Sequence, residues 1–338
     1  MGGLFSMNIS VPVLKEIVVQ KFTAQGVDAE TAAQVADVLI YADLRGVSSH
    51  GVMRVEHYLT RLKAGGITKN PNFSVEKRGT NHLLFRGDNG FGHVICKEAM
   101  DETIKIAKEH GSCTTIIQES SHCGALGYFL EQATSENLIA IMCSQTDSAV
   151  VPFGGKEPYF GTNPIAYGFP TNDKPIILDM ATSNVALGKI LYAREKGETI
   201  PNTWGVDAQG VPTTDPHQVK SLTPFAGAKG YGMALVVDVL SGILASAAFG
   251  PHISKMYSDY EQKRNLGQYL YVLDPNIFGD IDQFKASISQ MMNELHDAPT
   301  APNFEQVLVP GEIEQKCSAE TMDKGIDLPE QVYNYLNS

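Results

Sequence analysis

Between Thr114 and Ser144 two short apolar runs enclose one helical stretch, and that spacing constrains the fold more than any other feature of the chain. Thr114–Gln118 and Leu138–Ser144 read as strands, with Ala125–Asn137 as the helix joining them. A strand, a helix and a strand at this interval form a βαβ unit whose strands run parallel, because the helical crossover carries the chain back to the end from which it started. Ligands of such sheets gather beyond the carboxyl ends of the strands. Here those ends carry Ser120-Ser121-His122-Cys123-Gly124 and Gln145-Thr146-Asp147, so neighbouring strands would bring His122 and Asp147 to one edge. His122 is therefore the first catalytic candidate, and Asp147 is placed to orient its imidazole and stabilise the protonated form. The plainer alternative is a structural histidine. Cys123 adjoins His122, but extended backbone would point its thiol elsewhere.

Residues 10–63 read as helices. Leu14, Ile17, Val18 and Phe22 share a face that stops at Gly26, Asp28 can cap the next helix, and Val55, Tyr58, Leu59 and Leu62 mark a third that ends at Gly65-Gly66. The polar run Arg45-Gly46-Val47-Ser48-Ser49-His50-Gly51-Val52-Met53-Arg54 separates the second and third, as either a surface turn or a site. An arginine beside Ser49-His50 is the fork that grips a carboxylate with two donors; Arg264, in Arg264-Asn265-Leu266-Gly267-Gln268, shares that ambiguity. His50 and His57 fall on one helical face without a zinc-binding spacing.

Further strands are expected at His82–Phe85 and Tyr269–Leu273, and helices at 94–109, 282–297 and 330–336. Val151–Pro164, Phe169–Ser183 and Ile200–Pro216 read as ordered loops, with Trp204 in the core. After Gly230, the residues Met233, Leu235, Val236, Val239, Leu240, Ile243 and Leu244 wrap nearly all round a helix, which predicts burial on most sides. At its start, Gly227-Ala228-Lys229-Gly230 offers unpaired N–H groups, the helix dipole and an ammonium to an anion, unless the glycines serve packing alone. The Gly-x-Gly-x-x-Gly fingerprint of Rossmann dinucleotide folds is absent.

Composition removes whole classes. A net charge of −12, from 26 Lys plus Arg against 38 Asp plus Glu, speaks against a nucleic-acid partner, although one or two arginines in a cleft still suffice for a small anion. The 5 cysteines are odd in number and never spaced Cys-x-x-Cys, so neither a disulfide framework nor a zinc site is expected, and a reducing cytoplasm is the natural setting. No run approaches the roughly 20 apolar residues that span a bilayer. Met1-Gly2-Gly3-Leu4-Phe5-Ser6 fits a loose myristoylation pattern, against the plainer reading of a cloning remnant or an alternative start ahead of Met7.

Taken together, several ordered motifs resemble the type-2 malate/lactate dehydrogenase family, from Met7 to near the end of the chain. They are Arg45-Gly46 with Ser49-His50-Gly51 and Arg54; Ser121-His122-Cys123-Gly124; Pro152-Phe153-Gly154-Gly155; Gly161-Thr162-Asn163-Pro164; Asp179-Met180-Ala181-Thr182-Ser183; Pro212-Thr213-Thr214-Asp215-Pro216; Lys229-Gly230-Tyr231-Gly232; and Pro310-Gly311-Glu312. The resemblance implies an α/β, non-Rossmann fold in which a mixed-sheet domain is flanked by mostly helical segments. Its parts would be a helical segment over 1–72, a dinucleotide-binding sheet domain over 73–224, a mostly helical subdomain over 225–300, and a segment over 301–338 that returns to the N-terminal part. It also implies a homodimer that transfers hydride between a small 2-hydroxy acid and NAD, with NADP left open.

By motif, His122 would be the general acid/base, while Ser49, His50, Arg54, Thr146 and Arg264 would line the substrate pocket. Asp179, Met180, Ala181, Lys229, Gly230, Gly311, Glu312 and Ile313 would hold the dinucleotide. The Arg264–Gln268 run and Tyr159-Phe160-Gly161-Thr162-Asn163-Pro164 are most similar to members that oxidise (S)-ureidoglycolate to oxalurate in allantoin breakdown. Malate, lactate, sulfolactate and diketogulonate remain alternative substrates. A Cys123/His122 acyl hydrolase, which would need no nicotinamide, and a non-catalytic binding protein are the alternatives from other classes.

Overall fold

Residues 6–338 are described in the computed structural model, so Met1–Phe5 of the myristoylation pattern lie outside the described residues. Strand β1 (Ser6–Ile9) leads into helices α1 (Val11–Thr23), α2 (Ala29–Leu44) and α3 (Val55–Ala64). Asp28 accepts from Thr31 N at 2.9 Å, so α2 begins where the sequence places its cap. There follow β2 (Ser74–Lys77), β3 (His82–Arg86), α4 (Gly92–His110), β4 (Ser112–Ser120), α5 (Gly127–Ser135), β5 (Ile139–Ser144), β6 (Ile165–Phe169), β7 (Ile176–Met180) and α6 (Leu187–Lys196). The short pair β8 (Gly205–Val206) and β9 (Ser221–Leu222) precedes α7 (Ala228–Asp238), which runs on into a π-helical turn at Val239–Ile243. Strand β10 (Leu266–Leu273), α8 (Ile281–His296), α9 (Glu312–Lys324), β11 (Ile326–Pro329) and α10 (Glu330–Asn337) complete the chain.

The main sheet has seven strands in the order β2-β3-β4-β10-β5-β6-β7. Only β3 and β4 pair in parallel, so the sheet is mixed. Strands β4 and β5 both run antiparallel to β10, which makes them parallel to each other as the βαβ spacing predicts. They are not neighbours, however: β10 lies between them, with Gln268 opposite Ile117 on one side and Ser144 on the other. Nothing local reports that insertion, because β10 comes from far downstream and its alternation describes a strand without naming its partners.

Helices α4 and α5 cover one face of the sheet. Ile95, Met100, Phe129 and Leu130 meet Ile117, Met142 and Leu270 there, each at most 1% exposed. Burying a side chain of this size contributes about 1.5–3 kcal/mol. A second core joins the two ends of the chain: Leu14, Phe22, Leu39 and Leu59 pack with Ile326, Leu328 and Leu336, while β1 pairs antiparallel with β11.

Three local expectations are corrected. The Phe169–Ser183 segment is not all loop, since β7 pairs with β6 from Phe169↔Ile176 to Ile165↔Met180; its few apolar residues follow the polar turn Asn172-Asp173-Lys174, which hides the hairpin. Helix α6 lies between segments read as loops and was not expected. The helix after Gly230 is not buried on most sides: Leu235, Val236, Val239, Ile243 and Leu244 are all exposed, the last two by 54%. Trp204 is half-buried against the small cluster of Val185, Ile190 and Leu222.

Strand directions concentrate the candidate residues. The carboxyl ends of β4, β5 and β7 and the amino ends of β10 and β6 all reach one edge of the sheet. That edge collects Ser121-His122, Gln145-Thr146-Asp147, Asp179–Thr182, Arg264-Asn265 and Thr162-Asn163.

Candidate active site

His122 leaves β4 half-buried, with its Nδ1 2.7 Å from Tyr58 Oη on α3. The His50 ring stacks on it at 5.5 Å between centroids and 25° between planes. Burial, with His50 and Arg54 nearby, pushes the His122 pKa well below the ordinary imidazole value; His50 falls to about 4 by burial and the Arg54 charge. Both rings are therefore neutral at pH 7. His93, fully buried on α4, stands edge-on to Tyr58 at 4.8 Å with both ring nitrogens unpartnered, and burial lowers it to about 3.

The segment between α2 and α3 folds as two 3₁₀ turns, Ser48–His50 and Val52–Arg54, instead of continuing a helix. His50 and His57 consequently do not share a helical face: His50 meets His122, while His57 packs against Tyr257 and Tyr260. Ser49 Oγ lies 3.0 Å from His50 Nδ1, and Arg54 Nε donates to Ser49 O at 2.6 Å. Arg54 Nη1 donates to Tyr257 Oη, and Nη2 has no partner among the described residues. Arg45 is engaged elsewhere, paired with Glu131 at 2.7 Å and lying over the Tyr41 ring.

Asp43 fixes this segment. Its buried carboxylate accepts from Val52 N at 2.8 Å, and a Cβ on Gly51 would stand 1.9 Å from its Oδ1. An acid in the last turn of a helix opposes the dipole, and burial drives this one up to about 7, so its contribution is the anchoring of the turns that carry Ser49, His50 and Arg54.

Asp147 does not reach His122. It accepts from Arg264 Nη2 at 2.7 Å, and Tyr58 takes the place beside the imidazole that the sequence assigns to the carboxylate. The inserted β10 explains this, since its leading residues stand between the two strand ends. Arg264 is 3% exposed, and its Nε and Nη1 have no partner among the described residues. Thr146 is held in place by the neighbouring loop: its N donates to Asn163 Oδ1 at 3.2 Å, and its Oγ1 accepts from Thr162 N at 2.9 Å. Cys123 is buried, which removes the exposed thiolate that acyl transfer requires.

The remaining candidates line edge strand β7 and the chain beyond it. Asp179 is exposed and accepts from Gly127 N at the start of α5 at 2.8 Å. Gly311 approaches Ile177, whose N donates to Pro310 O at 3.3 Å, and Glu312 is held by His296 and Val309 N while Ile313 is exposed. Phe225 N donates to Thr182 O at 3.0 Å, which brings the start of α7 to the same place. That helix start is narrower than the glycines suggest. Lys229, Gly230 and Tyr231 all donate backwards to Ala226, Phe225 and Gly227, and Gly230 is a packing glycine whose Cβ would stand 2.1 Å from Phe225 O. The exposed Lys229 ammonium and the N–H groups of Gly227 and Ala228, which have no partner among the described residues, are left for a ligand. Thr182 Oγ1 donates to Thr162 O at 3.0 Å, linking the β7 group through Thr162 to Thr146.

Residues 9–337 match the family model described as malate/L-lactate dehydrogenase. The chain belongs to the malate/L-lactate dehydrogenase family. It is a dehydrogenase on a mixed α/β fold distinct from the Rossmann type. It is 42% identical over 333 residues to the NAD(+)-dependent ureidoglycolate dehydrogenase of Escherichia coli strain K12, covering 98% of this chain and 95% of that protein. The L-sulfolactate dehydrogenase of Methanocaldococcus jannaschii is 37% identical over 324 residues, covering 95% of this chain and 93% of that relative. The crystal structure of malate dehydrogenase from Entamoeba histolytica superposes with a TM-score of 0.93 at 29% identity, covering 98% of this chain and 97% of that one. Among the described residues no helix is long and apolar enough to cross a membrane, and no cluster of three His, Cys, Asp or Glu could hold a metal.

Sequence reasoning missed Tyr58, Asp43 and Tyr257. Tyr58 reads as one more apolar position on α3, Asp43 as a polar residue near a helix end, and the loop of Tyr257 carries no periodic signal. For Gly51→Ala the expected result is a fall on the order of 10²-fold in kcat/KM for the hydroxy acid, because a 1 Å displacement of positioning groups suffices for that. Steady-state kinetics beside a melting curve check it; unchanged kinetics would remove Asp43 and Gly51 from the site.

Proposed function

We propose that the protein oxidises (S)-ureidoglycolate to oxalurate with NAD as hydride acceptor, within allantoin breakdown. The observation that carries the dehydrogenase site is the neutral imidazole of His122 held by Tyr58 beside the partly uncommitted guanidinium of Arg54. The substrate is supported by the 42% identity to a ureidoglycolate dehydrogenase over nearly the whole chain.

A hydroxyl cannot become a carbonyl until its proton leaves. The reaction calls for the tautomer in which Nδ1–H is donated to Tyr58 Oη; Nε2 of His122 is then the unprotonated nitrogen and takes that proton as general base. Arg54 Nη2 grips the substrate carboxylate, and Arg264 Nε and Nη1 supply buried donors to the carboxylate or the ureido carbonyl. When bound, the nicotinamide of NAD supplies the hydride acceptor. The residues along β7 fit such a dinucleotide: the carboxylate of Asp179 can accept from hydroxyl groups, Lys229 offers a cation to phosphate, and Gly311 lets the backbone approach closely. Met180, Ala181, Glu312 and Ile313 would complete the surface that holds it.

The protein acts as a homodimer in a reducing cytoplasm. The exposed apolar stripe from Leu235 to Leu244 supports a second copy as its cover, and five free cysteine thiols, four of them buried, support the setting.

Initial rates with NAD and a panel of 2-hydroxy acids test the reading. A kcat/KM for ureidoglycolate about 10²-fold or more above malate, lactate and sulfolactate is expected, because buried donors left unpaired by a smaller acid penalise it. Arg264→Ala should narrow that preference. Comparable values for malate and ureidoglycolate would defeat the substrate and leave the dehydrogenase standing.

A further inference from the structure

We infer that Arg61 is the clasp that seats the Lys255–Gln262 loop over the substrate pocket, a positioning residue for the proposed oxidation and dependent on that reading for its kinetic consequence. Arg61 lies in the last turn of α3 at 1% exposure. It forms no ion pair among the described residues. Its Nη1 donates to Asp259 O at 3.0 Å and Gln262 O at 2.9 Å, and its Nη2 to Lys255 O at 3.0 Å and Met256 O at 2.9 Å.

A buried guanidinium without a carboxylate is costly unless its donors are satisfied. Here four main-chain carbonyls from one irregular loop satisfy both terminal nitrogens, while the buried Nε has no partner among the described residues, and the loop in turn has carbonyl partners that no strand or helix gives it. Four acceptors spread round a planar fork suit arginine. A lysine has three donors at one point and cannot reach them all.

What the loop carries connects this contact to the pocket. Tyr257 accepts from Arg54, Tyr257 and Tyr260 both pack on His57, and the loop leads through Lys263 into Arg264. Its first residue reaches the opposite wall, where Lys255 Nζ donates to Ser148 Oγ at 2.6 Å beside Asp147. The loop is thus fastened on one side by Arg61 and on the other by Lys255. Gly66 shows how closely it sits on the end of α3: a Cβ there would stand 2.2 Å from Tyr260 O and 3.0 Å from Gln262 O. Releasing the clasp would free Arg54 from Tyr257 and loosen Arg264, the two cations proposed to bind the substrate.

Two full-length variants test this, Arg61→Lys, which keeps the charge and loses the fork, and Gly66→Ala, which keeps the guanidinium but wedges a methyl group between the loop carbonyls and the Arg61 stem. Both are expected to raise the KM for the hydroxy acid about 10-fold, equivalent to about 1.4 kcal/mol of binding, with a smaller change in kcat and unaltered NADH binding by fluorescence. Trypsin should cut faster after Lys255 and Lys263 in both, read by mass spectrometry. If one variant fails to fold, the other carries the same test. Unchanged KM and unchanged loop cleavage in an active enzyme would overturn the clasp and leave the proposed function untouched. Faster loop cleavage in a protein that turns over no 2-hydroxy acid would overturn the proposed function and leave the anchoring of the loop standing.

Discussion

Replacing His122 with alanine is expected to lower kcat about 10²- to 10⁴-fold, the range of a positioned general base, with NADH affinity preserved. The dinucleotide candidates lie along β7, whereas His122 stands beyond β4 with β10, β5 and β6 between. The pH profile gives a second readout. Burial, His50 and Arg54 favour the neutral ring, so the base is ready at neutral pH. Oxidation slows only when pH falls through that lowered pKa, which puts the acid limb of kcat/KM below about 6.5, the ordinary imidazole value. Tyr58→Phe keeps the ring packed but removes the oxygen at Nδ1, so the proton is no longer held on that nitrogen, and a smaller fall in kcat with little change in KM follows. Near-parent turnover in His122→Ala, or an acid limb at or above 6.5, would remove His122 from the proposed role.

Local pattern made much of the edge that carries the site legible. The strand–helix–strand spacing put His122 and Asp147 beyond two parallel strands, and both are there. It could not show that β10 separates them, because a strand's periodicity records which face is buried and not which strand lies beside it. That single long-range pairing reassigns Asp147 from the imidazole to Arg264 and gives Tyr58 the place at Nδ1. Tyr58 was legible only as an apolar position, since a tyrosine on a packed helix face looks the same whether or not its hydroxyl has a partner. The start of α7 failed for another reason. Glycine and lysine suggested a row of free N–H groups, yet a turn through Ala226 and Gly227 at φ 45° and 62° closes those of Lys229 and Gly230 onto the preceding backbone. The apolar positions of that helix were read correctly as residues, but burial in one chain does not follow from hydrophobicity alone: an exposed stripe and a core stripe have the same sequence signature.

The Arg264–Asp147 pair gives the largest stability effect expected here. Its nitrogen and oxygen are 2.7 Å apart, with side chains 2% and 18% exposed, so the charges neutralise each other largely out of water. Such a pair can contribute little net stability over an apolar substitute, but removing one partner leaves the other charge stranded at a cost of about 3–5 kcal/mol. Asp147→Ala is therefore expected to lose about that much in equilibrium urea unfolding. Two donors of Arg264, Nε and Nη1, are already without a partner among the described residues, and in this variant Nη2 loses its partner as well. Adding Arg264→Met should restore most of the loss, since the buried cation is then gone, and the non-additivity of the double-mutant cycle measures the coupling. The same variants separate the two roles open to the carboxylate. If Asp147 acted on His122, its removal would move the acid limb of kcat/KM; if it acts through Arg264, the KM for the hydroxy acid rises while that limb stays in place. Additive stabilities with a displaced acid limb would show that Asp147 works on the imidazole, and the arrangement of Arg264 and Tyr58 described above would have to be abandoned.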